Sequence, residues 1–525
     1  MNWYLPALLV LPLVGALVLR PLRGNDRAAR ATGMVFALAE LGLAVVTWGA
    51  FQAGGGQRLQ LTVSTDWIPA FGARFALGVD GIALVMIALI AVLVPVVLGA
   101  SWEGDLALGR STAGFIALLL VMESLIVGVF AATDVFLFYV LFEAMLVPMY
   151  FLIGRYGGPR RQYAAVKFFL YSLFGGLVML ASVIGLFVVS GRRLGAGTFD
   201  WVTLQRIAAE APLSTQIWLF LGFFLAFAIK APLVPLHTWL PDASAEAPIG
   251  AGVLLVGVLD KVGTFGFLRY CLPLFPAASR ELAPYVLVLC VAGILYGALV
   301  AIGQSDMNRF VAYTSIAHFG FIALGVFAFS SQAFAGAVLY MFNHGITTGM
   351  LFLTIGMIIT RGGSRAIEDY GGIAALAPVL AGLFLVAGLS SLALPGMNSF
   401  VSEFLILVGS FPRYPAFTVL ATIGIIFAAL YVLWVYQRVA QGPVRGAAVA
   451  SSLVEGVNPV TGRLRFPDLS RRELAVLAPL VVLIIGLGVY PKPMLDVIVP
   501  SVNATMTEVG LTDPVTAQPV QPGGK

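Results

Sequence analysis

Residues 3–20, 31–51, 79–100, 113–132, 134–154, 164–190, 214–240, 248–272, 284–303, 308–329, 332–360, 372–411, 415–438 and 472–490 are predominantly apolar, each run long enough to cross a lipid bilayer. A membrane-spanning helix needs about 20 such residues. Lipid offers no hydrogen-bond partners, so a spanning segment must satisfy its backbone internally, as a helix or a closed barrel. No run alternates with the period of two expected of barrel strands. The expectation is therefore an all-α polytopic membrane protein with about 14 crossings. Composition agrees: 60% of residues are hydrophobic and 10% charged, against about 45–50% and ~25% in soluble domains. The first run has no basic residue before it and no small-residue cleavage site after it. It reads as a retained helix.

Loop charge sets an orientation. Of the 30 Lys and Arg residues, 17 fall in loops that join an odd segment to the following even one, and 10 lie on the opposite side with the termini. Lys167, Lys230 and Lys261 lie within segments. Basic loops stay in the cytoplasm, which predicts periplasmic termini in a bacterial inner (plasma) membrane. The +5 net charge is then a property of loops, and gives no reason to expect nucleic acid as a partner.

The seventh and twelfth runs break their own pattern. In "LAFAIKAPLVPLHTWLPDASAEAP", residues 225–248, Lys230 and then Pro232, Pro235 and Pro241 interrupt an apolar helix. Pro232 and Pro235 lack an amide hydrogen, which frees carbonyls near Ala228 and Ala231. Such backbone must face protein or a wet cavity. The twelfth run is broken at Pro395-Gly396. "PLHTWLPD" at 235–242 and "PGMNSFVSE" at 395–403 share a proline, a polar group, an aromatic residue and an acid. Segments 4–8 and 9–13 are thus expected to be two five-helix repeats. An odd number of crossings inverts the second copy, as in many transporters.

A charge at the centre of a membrane helix costs about 2.5–3.5 kcal/mol on insertion scales and commonly marks an ion or proton path. Glu143 lies near mid-depth of the fifth segment and Glu123 of the fourth. Lys230, Lys261 and Glu403 lie in the seventh, eighth and twelfth. The histidines, His237, His318 and His344, all fall within segments. Glu143, Lys230, Lys261 and Glu403 are the expected proton-translocating residues. His318, His344, His237 and Glu123 are further relay candidates. The competing reading gives each a static role, as a salt bridge or an interhelical hydrogen bond. Asp260 points about 100° away from Lys261 and is expected to pair with a neighbouring helix. Asp134, Asp242 and Asp306 are expected to cap helix ends.

No dinucleotide fingerprint, phosphate loop, CxxC or paired-histidine spacing occurs. Cys271 and Cys290 form no cluster motif. The expectation is no cofactor and no metal in this chain, which can move charge but has no means of moving electrons.

These residues resemble the antiporter-like subunits of respiratory complex I, the proton-pumping NADH:quinone oxidoreductase. The resemblance runs from about Ser111 to Arg438. It is carried by "FLFYVLFEAMLVPMYFLIG", "KAPLVPLHTWLPDASAEAPIGAGVLL", "DMNRFVAYTSIAHFGFI" and "LPGMNSFVSEF". It implies that Glu143 and Lys230 are the family's charged pair and Lys261 its central lysine. It makes Glu403 the terminal site, with His318 and His344 on the connecting polar axis. A glutamate at the twelfth-helix site is typical of the chain M branch. The sister subunits usually carry lysine there, and the largest adds a lateral helix for which this tail is too short. The implied partners are other membrane-arm subunits, including sister antiporter-like subunits. NAD, flavin, iron–sulfur clusters and quinone would reside in other subunits. Asn308 departs from a frequent lysine, and Ser402 from a frequent glycine.

The expected organisation is helices 1–3 in 1–110, the first repeat in 111–272 and the second in 284–438. A cytoplasmic loop at 439–471, helix 14 at 472–500 and a polar tail at 501–525 follow. The rival functions are a subunit of a multi-subunit cation/proton antiporter or membrane-bound hydrogenase, and a passive membrane scaffold.

Overall fold

The computed structural model describes residues 2–102, 110–449 and 466–514. Among the described residues thirteen helices are long and apolar enough to cross a membrane. In chain order α1–α11 are Tyr4–Leu22, Asp26–Ala50, Gly81–Ala100, Thr112–Ala131, Val135–Tyr156, Arg161–Leu194, Leu213–Lys230, Ile249–Leu274, Pro276–Ile302, Met307–Phe327 and Ser331–Gly362. Two shorter apolar helices, Pro378–Ser391 and Asn398–Ser410, follow as the halves α12a and α12b of one broken crossing. Pro415–Ala440 and Arg471–Val489 are α13 and α14. These thirteen spans and the crossing made of two short helices give the expected number.

The interior is formed by α3, α8, α10 and α11, whose most apolar windows are 89%, 100%, 94% and 94% buried. Apart from a few buried polar and ionisable side chains, among them Asp260, Lys261, His318 and His344, their sequences are apolar on every face, as enclosed helices must be. In contrast α1, α2, α13 and α14 are largely exposed along one side, with Val35, Val45, Ile426 and Val482 facing outward. Apolar exposed faces of this extent fit lipid or neighbouring membrane chains.

Three features depart from the sequence reading. Residues Gln60–Ile68 and Ala73–Val79 pair as an antiparallel hairpin, β1–β2, between α2 and α3. Gly72 turns its far end at φ 64°. This hairpin lies outside the apolar runs, where membrane helix criteria have nothing to detect. The helix expected at 472–500 ends at Val489, and a separate helix, α15, runs over Lys492–Val509 into the expected tail. Its buried positions, among them Met494, Val497, Ile498, Ser501 and Thr505, form one face at helical spacing, and Pro491 separates it from α14. Within the expected 439–471 loop, residues 450–465 lie outside the described residues, as does the tail from 515. Arg269, assigned to a loop from sequence, is buried within α8.

Candidate functional site

The break after α7 is defined by hydrogen bonds. Lys230 is the last residue of that helix, and the chain runs irregularly through Ala231–Thr238 before the short helix Trp239–Glu246, α7b. The Ala228 carbonyl is not free: the Leu233 N–H reaches it at 2.9 Å. The Ile229 carbonyl accepts from the Trp239 indole at 2.9 Å. The break is thus closed by its own downstream residues.

Lys230 is 1% exposed. Its Nζ is 3.4 Å from Ser172 Oγ on α6 and 5.3 Å from the ring centres of both Phe142 and Phe168. Glu143 sits on α5 one turn before Pro148, which removes the amide that the Ala144 carbonyl would use. The helix is interrupted at Met145. The Glu143 carboxylate lies against Gly176 of α6, and a methyl group there would overlap it. The adjacent Gly175 lets Ala226 of α7 approach; a Cβ at Gly175 would be 3.0 Å from its Cα. Glu143 and Lys230 have no ion pair within 4.0 Å.

On α8 the backbone widens into a π-helical turn at Leu255–Leu259, a deviation common at functional sites. Lys261 follows it, 0% exposed. Its ammonium donates to the Val256 carbonyl five residues back and lies 2.7 Å from His344 Nδ1 on α11. Phe319 of α10 covers it, with the ring centre at 5.0 Å. With Lys261 charged, Nδ1 accepts and Nε2 carries the imidazole proton.

Asp260 does not pair with a neighbouring helix as expected. Both of its oxygens are buried without a hydrogen-bond partner among the described residues. Gly263, three residues on, packs against the α7 break, where a Cβ would lie 2.5 Å from Ala231 N. Positions i and i+3 share a helix face, so Asp260 faces the end of α7. It adjoins Lys261 in sequence and faces the helix end that carries Lys230. Its neighbourhood was hidden in sequence because it depends on which face of α8 meets α7.

Beyond Lys261 the polar groups continue. The His344 and His318 rings are 5.2 Å apart between centres, and His318 Nε2 is 3.3 Å from Tyr431 Oη on α13. Tyr340, one turn from His344 on α11, has its ring centre 5.9 Å from His318, and its hydroxyl donates to Glu403 on α12b. Glu403 is 5% exposed. Beside it, Asn343 Nδ2 donates to Ser402 Oγ at 2.7 Å, so Ser402 joins a polar cluster. Asn398 Oδ1 gathers donors from Ser390 at 2.6 Å and Thr347 at 3.2 Å at the α12 break. Tyr340 and Tyr431 went unnoticed in sequence because hydroxyl-bearing aromatics are common at membrane positions.

Two candidates stand apart. His237 is buried against Tyr296, 5.0 Å between ring centres, and both of its nitrogens lack partners among the described residues. Near that end, Asp242 binds Lys167 at 2.7 Å and also Arg309. Asp242 is therefore an ion-pair hub, whereas Asp134 and Asp306 cap helices as expected. Arg365, 3.5 Å from Asp306, supplies a basic contact at the start of α10, the turn that carries Asn308. Glu123 lies in α4 and makes no hydrogen bond to any of these groups.

Among the described residues no group of three or more His, Cys, Asp or Glu could hold a metal ion. Fold and site define a multi-pass helical membrane protein organised around a buried line of ionisable side chains. The chain belongs to the NADH:quinone oxidoreductase/Mrp antiporter transmembrane family, whose model matches residues 132–428. It is 45% identical over 553 residues to NADH-quinone oxidoreductase subunit M of Mycobacterium tuberculosis (strain CDC 1551 / Oshkosh), covering 98% of this chain and 97% of the relative. A chain of respiratory complex I from Thermus thermophilus with bound NADH superposes with a TM-score of 0.83 at 32% identity, covering 96% of this chain and 100% of that one. A chain of the Mrp complex from Dietzia sp. DQ12-45-1b has the same fold, with a TM-score of 0.82 at 20% identity over 97% of this chain and 100% of that one.

Proposed function

We propose that the chain is a proton-translocating membrane-arm subunit of an NADH:quinone oxidoreductase, working beside sister antiporter-like subunits. The observation that carries this reading is the buried line Glu143, Lys230, Asp260, Lys261, His344, His318, Tyr340 and Glu403, with the 2.7 Å Lys261–His344 contact at its centre. Among the described residues Lys230 has no carboxylate within the 4.0 Å of an ion pair, and in this reading its charge is balanced at longer range by the fields of Glu143, across the Ser172–Gly176 face of α6, and of Asp260, which faces the end of α7. Protonating Glu143 removes one of those fields and lets the Lys230 proton pass toward Asp260 and Lys261. From Lys261 it moves through the imidazoles and the Tyr340 hydroxyl to Glu403. The partnerless His344 Nε2 and His318 Nδ1 are the points at which bridging water would complete the path.

In this reading NAD, flavin, iron–sulfur clusters and quinone belong to other subunits, and the chain holds no redox centre. Redox energy released there drives the rearrangement of charge here. Segments 4–8 and 9–13 form the inverted repeats, each with one broken helix. The protein sits in a bacterial plasma membrane with both termini periplasmic, as the basic loops favour. A cation/proton antiporter subunit is the alternative, since the Mrp chain has the same fold.

Purification through a tag on this chain in mild detergent separates the two. The proposal predicts co-purifying subunits with NADH:quinone reductase activity. Recovery of a complex containing only antiporter-type subunits, without NADH oxidation, would replace it with the alternative.

A further inference from the structure

Two carboxylates lie outside the line from Glu143 to Glu403. Glu40 is in the middle of α2, 1% exposed, and Glu123 is in α4, 0% exposed. None of their four oxygens has a hydrogen-bond partner among the described residues. Helix register brings them together. As the second and fourth crossings, α2 and α4 run in the same direction, and they pack on each other. Gly33 of α2 meets Ile116 of α4 so closely that a Cβ would overlap the Ile116 side chain. Seven residues, or two turns, further along each helix stand Glu40 and Glu123. The remaining buried seam of α2 is small (Ala29, Gly33, Ala37 and Ala44), which holds the two backbones close.

Among the described residues no cation pairs with either carboxylate. Among the described residues α1 within Tyr4–Val18, α3 and α4 carry no Lys, Arg or His. On α2, Arg27 and Arg30 precede Glu40 by 13 and 10 residues, roughly 15–20 Å along the axis. Arg20, Arg23, Arg74 and Arg155 lie toward the ends of neighbouring elements. Glu143 on α5 and Asp260 and Lys261 on α8, elements that also border α4, make no hydrogen bond with Glu123. Adjacent carboxylates in such surroundings cannot both ionise.

We propose that Glu40 and Glu123 form a second proton-binding site, a carboxylic pair that holds at least one proton between α2 and α4. The transfer is an O–H···O exchange between the two carboxyl groups, with the proton taken from and returned to water. The site stands on this chain's geometry alone and is independent of which complex the chain serves.

Infrared difference spectroscopy of the assembled complex, in proteoliposomes in light and heavy water, tests it. Wild type, Glu40→Gln, Glu123→Gln, the double variant and the conservative Glu40→Asp and Glu123→Asp are compared at neutral pH. The expected result is a deuterium-sensitive C=O stretch of a protonated carboxylic acid, lost in the double variant and shifted by either single change. The aspartate variants, which keep both acids, retain the band if a glutamine variant fails to assemble. Absence of such a band would overturn the proposal, because both groups would then be ionised. A Glu123 band unaffected by Glu40→Gln would overturn the pairing. A band that responds to sodium at fixed pH would make this a cation site instead.

Discussion

Glu143 and Lys230 are held about one helical turn apart by α6, with Gly176 under the carboxylate and Ser172 beside the ammonium. Positions 172 and 176 are i and i+4, on one face and about 6 Å apart along the axis. The pair is therefore spaced for charge coupling across a gap and not locked as a salt bridge. A static ion pair would put nitrogen and oxygen within bonding distance, and would not need a glycine to make room for the acid.

Gly176→Ala tests this spacing. The added methyl group displaces the Glu143 carboxylate, while α6 keeps its helical backbone. Displacement of a reacting group by about 1 Å can cost up to 10²-fold in rate. The expected outcome is a complex that assembles but pumps roughly tenfold more slowly or worse. Proton uptake in inverted vesicles, normalised to assembled complex, checks it. Unchanged pumping would mean that the position of Glu143 does not matter.

Tyr340→Phe removes the donor to Glu403 and nothing else of that size. Leaving a buried acceptor unsatisfied costs about 1–3 kcal/mol. Thermal unfolding should show a modest loss of stability, with a larger fractional loss of pumping than of assembly. Equal losses in both would assign Tyr340 a packing role.

Much of the fold is legible in the sequence, because lipid forces each crossing to be long, apolar and helical. The α12 break follows from Pro395-Gly396, and the α7 break from Pro232 and Pro235. The line of charges is visible for the same reason, since Glu143, Lys230, Lys261 and Glu403 are expensive where they stand. What sequence does not reveal is what each group faces. Asp260 reads as a helix-pairing residue until the contact of Gly263 with the α7 break turns it toward Lys230. Gly176 is one of 58 glycines, and only the packing of α5 on α6 singles it out. The hairpin β1–β2 and α15 lie outside the apolar runs, where local pattern is weak and packing on the bundle decides.

At one end of the bundle Arg269 Nη2 binds Asp80 at 2.7 Å, with 3% and 0% of their side chains exposed. Arg58 stands 3.8 Å from the same carboxylate. Both arginines stack on Trp201, at 5.1 and 5.3 Å. Arg58 also binds Glu508 of α15. Removing one partner of a buried pair typically costs about 3–5 kcal/mol. Arg269→Ala should therefore reduce the amount of assembled complex, with the reductase rate per assembled complex near wild type. A normal yield of complex with impaired pumping would move this cluster into the proton path.

Orientation is tested by cysteine labelling. Cys271 and Cys290 are buried and give a low background. An impermeant thiol reagent added from the periplasmic side should modify Gln57→Cys in the α2–α3 loop and miss Gln441→Cys after α13. The reverse pattern would invert the topology.

Proton passage along the buried line is tested most directly by Glu143→Gln. This change keeps the shape of the side chain and removes its charge and its exchangeable acid proton. Protons moved per quinone reduced would be measured in vesicles bearing the assembled complex. The predicted result is normal assembly with pumping abolished, and with quinone reduction falling alongside it where the two are tightly coupled. Normal assembly with normal pumping would contradict translocation through Glu143 and Lys230 and leave the pair as structure.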